Sequence, residues 1–134
     1  MAVVKGGGGA LLREKIVAAN SKQLIIVADE SKLVKTLGRF PLPVEVVVFG
    51  WEKVFQKLES FGCIANLRLE NGDPYITDNS NYILDCSFKE IPNPSELHDK
   101  INAIVGVVEN GLFINLAKKL VAGYSNGDVK VLLP

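Results

Sequence analysis

The sequence predicts an α/β fold, and three patterns predict it. A short, purely apolar run, Leu24-Ile-Ile-Val-Ala28, follows a helical repeat and ends in Asp29-Glu30-Ser31, as does a strand buried on both faces of a parallel sheet. A connector with two prolines, Phe40-Pro41-Leu42-Pro43, then separates it from a different rhythm, in which segments follow in the order βαββαβ between Val44 and Val108. That order suits a ferredoxin-like sandwich, an antiparallel sheet under two helices. Apolar residues fill 48% of the 134 positions, enough for one ordinary core or for a small domain plus part of another.

The first element is preceded by Lys5-Gly6-Gly7-Gly8-Gly9-Ala10. Glycine loses more backbone freedom on folding than any other residue, so four in a row need a physical reason. Either the backbone comes very close to a ligand, or N–H groups point into an anion site at a helix start. The alternative is a flexible, glycine-rich terminus. Gly9 is followed by Ala-Leu, which excludes a nucleotide P-loop, and the spacing is wrong for a dinucleotide fingerprint. Lys5 and Glu14 put a fixed cation and a proton acceptor at either end of this run.

Ala10 to Asn20 is predicted as a helix with Leu11, Leu12, Ile16 and Ala19 at helical spacing. The strand 24–28 follows, and its carboxyl end, Asp29 to Lys32, is where α/β sheets place ligands. Leu33 to Leu37 is predicted as a helical turn closed by Gly38, and the prolines make 40–43 a rigid extended connector. Val44–Val48 is the next strand, and Trp51–Phe61 a helix with Val54, Phe55, Leu58 and Phe61 on one face. Cys63–Leu69 alternates as a half-buried strand, Asn71-Gly72-Asp73 signals a turn, and Tyr82–Cys86 is a strand. Pro94-Ser95 opens a helix to Ala103, and Val107-Val108 starts another strand. The tail carries strand-like runs at 112–116, 120–124 and 129–133, with Ser125-Asn-Gly-Asp128 as a hairpin turn.

Several function classes are disfavoured at once. Net charge is zero and the pI is near 6.6, without the basic footprint that nucleic-acid binding needs. No apolar run approaches the ~18 residues of a membrane span, and no basic-then-apolar signal peptide opens the chain. Cys63 and Cys86 are isolated thiols among apolar neighbours. They are expected as buried structural cysteines rather than zinc ligands, which implies a reducing cytosol. His98 falls off the Leu97/Ile101 stripe, so a solvated helix position is expected for it, not a catalytic one.

Seven segments together carry a resemblance. They are Lys5–Lys15, Val27–Lys32, Leu37–Val46, Thr77-Asp-Asn-Ser-Asn81, Ile83-Leu-Asp85, Ile101–Val108 and Gly111-Leu-Phe113. In collinear order over essentially the whole chain, they resemble ribose-5-phosphate isomerase of the A type. The match is to the C-terminal part of that family. Its Gly/Ser/Thr loop, which grips the sugar phosphate, and its Asp-Gly-Ala-Asp-Glu-like segment do not occur here, and Met1-Ala2-Val3-Val4 stands directly before Lys5.

The resemblance therefore implies a chain that begins inside an active site. An incomplete Rossmann-like α/β domain, residues 1–43 and 112–134, would carry an inserted ferredoxin-like domain, residues 44–111. The implied activity is aldose–ketose isomerisation of D-ribose 5-phosphate and D-ribulose 5-phosphate through an enediolate, with no metal or organic cofactor. Glu14 matches the proton acceptor. Lys5, Gly6, Gly7 and Gly8 match substrate contacts, and Lys32 matches a lysine suited to the phosphate as a point charge. Asp29 and Ser31 match no catalytic role. The expected partners are the sugar phosphate and either copies of the chain, as a homo-oligomer, or a complementary N-terminal half; nucleic acid and membrane are not expected. The expected location is the cytoplasm. A second possibility is a non-catalytic remnant whose ferredoxin-like part serves assembly, since such folds host many functions.

Overall fold

A computed structural model describes residues 1–134. In chain order the elements are β1 (Ala2–Val4), α1 (Leu11–Ala19), β2 (Leu24–Asp29), a 3₁₀ turn (Glu30–Lys32), β3 (Leu42–Val46) and α2 (Trp51–Glu59). There follow β4 (Ile64–Leu67), β5 (Leu69–Glu70), β6 (Asp73–Pro74), β7 (Tyr82–Ser87), α3 (Pro94–Asn102), β8 (Val107–Asn110), β9 (Leu112–Ile114), β10 (Ala117–Gly123) and β11 (Val129–Leu132). The architecture is mixed α/β.

Four strands form one antiparallel sheet in the order β4-β7-β3-β8. With α2 and α3 as its crossovers, this order fits the expected βαββαβ arrangement. Its apolar face makes the main core, where Leu42, Val44 and Val46 of β3 meet Leu84 and Cys86 of β7, Val54 and Leu58 of α2, and Ile101 of α3. Trp51 packs edge-on against both Phe55 and Tyr82 at the rim. Leu42 and Pro43 belong to β3 itself, so the strand begins inside the stretch expected as a connector. Pro43 costs that ladder little, because pairing with β8 starts only at Val44. The expected strand 63–69 is divided at Arg68 into β4 and a small β5–β6 hairpin.

The second group is smaller. β2 lies parallel to β10, which pairs antiparallel with β11 in the order β11-β10-β2. β1, not anticipated from the sequence, pairs antiparallel with β9. Its three residues are too few to show a period, and only the ladder with Leu112–Ile114 makes them a strand.

Three expectations are corrected here. β2 is not buried on both faces, for Ile25 is 43% and Val27 77% exposed while Leu24, Ile26 and Ala28 are half-buried. The reason is positional: the preceding helix, α1, packs mainly on β3 and β8 and does not cover the Ile25/Val27 face. Residues 33–37 form no helical turn; the single turn lies earlier, at 30–32, and Leu37 bridges to Ile91 instead. The buried positions of α1 are Leu11, Lys15 and Ala18, while Ile16 is exposed. Polar acceptors on β8 and β9 draw the lysine inward.

Cys63 and Cys86 are both buried free thiols. The Cys63 thiol beside it, together with burial, pushes the Cys86 thiol far up, so that it stays protonated. No helix is long and apolar enough to cross a membrane.

Candidate functional site

The glycine run forms a compact turn between β1 and α1. Gly9 N–H donates to Gly6 C=O at 2.9 Å, which closes the turn. Gly6 and Gly9 hold φ values of +99° and +87°, in the left-handed region that only glycine enters without strain. Space is a second reason. A Cβ on Gly6 would lie 2.8 Å from Leu11 Cβ, and one on Gly9 would overlap the Tyr75 ring. The run is therefore an ordered turn, not a flexible terminus.

This turn brings the two ends of the motif together. Lys5, just past β1, is anchored by its own N–H to Gly111 C=O at 2.8 Å. Its Nζ lies 2.9 Å from Glu14 Oε2, in the first turns of α1, with the two side chains 32% and 41% exposed. Glu14 Oε2 itself is shielded from solvent and has no aligned hydrogen-bond donor. The contact is thus an ion pair out of hydrogen-bond alignment. A carboxylate and a cation are thereby held side by side across the glycine turn.

A side chain from the βαββαβ part holds the turn from behind. Arg68 sits between β4 and β5. Its Nε and Nη2 donate to the Asp85 carboxylate at 2.9 and 2.7 Å, and its Nη1 donates to Gly6 C=O at 3.2 Å and Gly7 C=O at 3.1 Å. The guanidinium also lies over the Tyr75 ring at 5.8 Å, and the Tyr75 hydroxyl donates to Gly8 C=O at 3.4 Å.

Beside the turn opens a cavity of about 1150 Å³. Lys5, Gly7 and Lys32 line it, and so do Lys35 and Arg39. Gly6, Gly8 and Glu14 are not part of its lining; Gly6 is buried behind it and Gly8 is exposed. Lys32 closes the 3₁₀ turn beyond β2, at the carboxyl end of the parallel β2–β10 pair, where α/β sheets present ligand sites. Asp29 caps that turn, accepting from Ser31 N–H at 2.9 Å and from the Ser31 hydroxyl, which holds its carboxyl below the usual range. Four cations with the single carboxylate Glu90 make this wall suited to an anion. No cluster of His, Cys, Asp and Glu with metal-binding geometry is present.

Sequence reasoning missed Lys35, Arg39 and Arg68. The first two follow Lys32 at short, readable intervals. Arg68 has no such signal, because its partners stand 17, 61 and 62 positions away. His98 is not freely solvated as expected: its Nδ1 lies 3.0 Å from Asn110 Nδ2, in a structural network with Asn102.

The family model for ribose 5-phosphate isomerase A (phosphoriboisomerase A) matches residues 1–127. Among curated proteins, a ribose-5-phosphate isomerase A of Bacillus mycoides is 54% identical over 126 residues, covering 93% of this chain and 57% of that protein. One from Gloeobacter violaceus is 50% identical over 135 residues, covering 100% of this chain and 58% of that protein. The chain thus spans somewhat more than half the length of the relatives it matches. Among solved structures, the Plasmodium falciparum ribose 5-phosphate isomerase superposes with a TM-score of 0.94 at 39% identity, covering 99% of this chain and 60% of that one. A D-ribose-5-phosphate isomerase in complex with phospho-erythronic acid gives a TM-score of 0.94 at 38% identity, covering 99% of this chain and 59% of the other.

Proposed function

Because the chain belongs to the ribose 5-phosphate isomerase A family, we propose that it carries the acid–base half of an aldose–ketose isomerase site acting on D-ribose 5-phosphate and D-ribulose 5-phosphate. The observation that carries this is the Lys5–Glu14 pair at 2.9 Å, closed across an ordered glycine turn. The isomerisation needs a carboxylate beside the C–H bond, a donor near the developing oxyanion and an anchor for the phosphate.

Glu14 takes the proton from C2, and the C–H pair becomes the C1–C2 double bond of an enediolate while O1 takes up negative charge. Glu14 then returns the proton to C1, and the O2 proton passes to O1, leaving the ketone at C2. Lys5 supplies positive charge at the carboxylate and the nascent oxyanion. Gly6, Gly7 and Gly8 offer backbone without side chains against the sugar. Lys32 attracts the phosphate as a point charge, helped by Lys35 and Arg39 on the same wall. No step calls for a metal or organic cofactor.

The relative solved with phospho-erythronic acid supports a sugar-phosphate ligand of this class. Two further parts of the proposal rest on the family alone, namely assembly with copies of the chain and a place in the cytoplasm. We also retain the division into a Rossmann-like part, 1–43 with 112–134, and an inserted ferredoxin-like part, 44–111. A purely structural remnant is the weaker alternative, since a remnant has no need to keep an ion pair across a costly glycine turn.

The test is turnover of ribose 5-phosphate by the chain completed with the N-terminal part of the Bacillus mycoides relative. Glu14→Gln keeps the shape but cannot accept the proton, so turnover should fall by about 10²–10⁴-fold while phospho-erythronic acid still binds. Turnover within a few-fold of the parent would remove Glu14 from the role.

A further inference from the structure

The geometry points to Arg68, anchored by Asp85, as a positioning residue that holds the glycine turn with the Gly7 and Gly8 N–H groups turned toward substrate. The inference rests on the isomerase reading above and deepens it.

Arg68 uses its guanidinium in two directions at once. One edge makes two hydrogen bonds to Asp85, at 2.9 and 2.7 Å. The remaining nitrogen gathers the carbonyls of two successive glycines, at 3.2 and 3.1 Å. In a planar trans peptide the C=O and the following N–H point in opposite directions. Turning the Gly6 and Gly7 carbonyls onto Arg68 therefore turns the Gly7 and Gly8 N–H groups away from it, to the opposite side of the turn. Neither N–H has a partner within the protein. Both residues are exposed, and Gly7 lines the cavity with Lys5 and Lys32.

Two adjacent free N–H groups on one side of a turn form a concave donor pair that suits an anionic oxygen. A donor pair of this kind stabilises developing charge only if it is aimed before the reaction. Glycine supplies the conformation but no rigidity, so something outside the turn must provide it. The Asp85 carboxylate fixes the guanidinium plane, and Tyr75 covers its face at 5.8 Å. Asp85 lies within β7, an interior strand of the four-stranded sheet. The turn is thereby tied to the interior of the four-stranded sheet. Lysine cannot substitute, since one ammonium does not reach both carboxylate oxygens and both carbonyls in one plane.

The test uses the ¹⁵N-labelled chain completed with the N-terminal part of the Bacillus mycoides relative, and its Arg68→Lys, Arg68→Ala and Asp85→Asn variants, with phospho-erythronic acid as the probe. Heteronuclear NOEs at Gly7, Gly8 and Gly9 should drop in Arg68→Lys and Asp85→Asn, while amides of β3 and β7 keep their protection. The two effects should not add in the double variant. Probe affinity should weaken about tenfold or more, the equivalent of one charged hydrogen bond, with the Gly7 and Gly8 amide shifts of the parent moving on titration. Should Arg68→Ala unfold, the lysine and asparagine variants still decide. Unchanged glycine order in both variants overturns the positioning role. Gly7 and Gly8 shifts that ignore a probe perturbing Lys5 and Lys32 overturn the aim of the donors. No response to the probe anywhere in the completed protein removes the isomerase reading instead, and with it the substrate-facing half of the inference.

Discussion

Gly6 and Gly8 are neighbours but one in the same turn, yet they differ in what a methyl group would do. At Gly6 it meets Leu11 Cβ at 2.8 Å and Pro43 Cγ at 3.3 Å, on a backbone at φ +99°. At Gly8 it meets nothing within 4 Å, and φ is not in the left-handed region. Gly6→Ala should therefore cost about 1–3 kcal/mol of stability, whereas Gly8→Ala should stay within about 0.5 kcal/mol of the parent, both read by urea denaturation. Equal losses would mean that the turn is not ordered as described. Glu45 poses a different residue-scale question. It is 2% exposed on β3, with Oε2 unpartnered, and burial pushes its carboxyl above the usual range. A raised acid binds its proton more tightly in the folded state, so its contribution is favourable at low pH and lost as pH rises through that raised value. Glu45→Gln should thus gain about 1 kcal/mol at pH 7 by removing a buried charge, and the gain should vanish below pH ~4. A gain that persists in acid would exclude ionisation as the cause.

At the scale of an element, α1 is held to the sheet by a lysine. Lys15 Nζ donates to Glu109 Oε1 at 2.8 Å, Asn110 C=O at 2.6 Å and Leu112 C=O at 2.8 Å, and it lies 5.0 Å from the Phe113 ring centre. Burial pulls the lysine below its usual range, and Glu109 opposes that pull. Burial also pushes Glu109 upward, but Lys15, Asn102 and the Asn110 N–H outweigh it and leave its carboxyl below the usual range. A depressed acid stabilises the fold above its unfolded pKa, and that stability is lost as pH falls through the folded value. The acid limb of the stability curve, below pH ~4.5, should therefore carry Glu109. Lys15→Met strands a part-buried carboxylate and two buried carbonyls and should cost about 3–5 kcal/mol at pH 7. It should also flatten that limb, and adding Glu109→Gln should restore part of the loss. A steep acid limb surviving in Lys15→Met would assign acid sensitivity elsewhere.

For the whole molecule the telling feature is uncovered apolar surface. Ile16, Val17, Ile25, Val27, Val131 and Leu133 are all exposed, and β2 and β11 are the open edges of their sheet. Apolar patches beyond a few hundred Å² are rare on soluble monomers, and an open strand edge invites pairing. The 134-residue chain alone should self-associate in sedimentation velocity, or take up an added N-terminal part of a relative. In hydrogen exchange, β2 amides should exchange much faster than those of β3 and β7 unless a partner is present. Equal, strong protection in a demonstrated monomer would show that the small sheet needs no cover.

What the sequence determined by itself was local. The apolar periods of α2, α3, β3 and β7 place those elements within a few residues of where they stand, because each buries one face in a single core. The glycine run with Lys5 and Glu14 at its ends was equally legible, since a turn of this length needs only local geometry to bring its ends together. What only the tertiary structure decided involves partners far apart in the chain. β1 exists through its ladder with β9. Which face of α1 turns inward depends on carbonyls nearly a hundred residues on, which make a lysine a better buried residue than Ile16. Arg68 gains its place at the glycine turn only when β4 and β7 align. Periodicity reports how a segment divides its own surface between core and water; it carries no information on which distant polar groups will be waiting there.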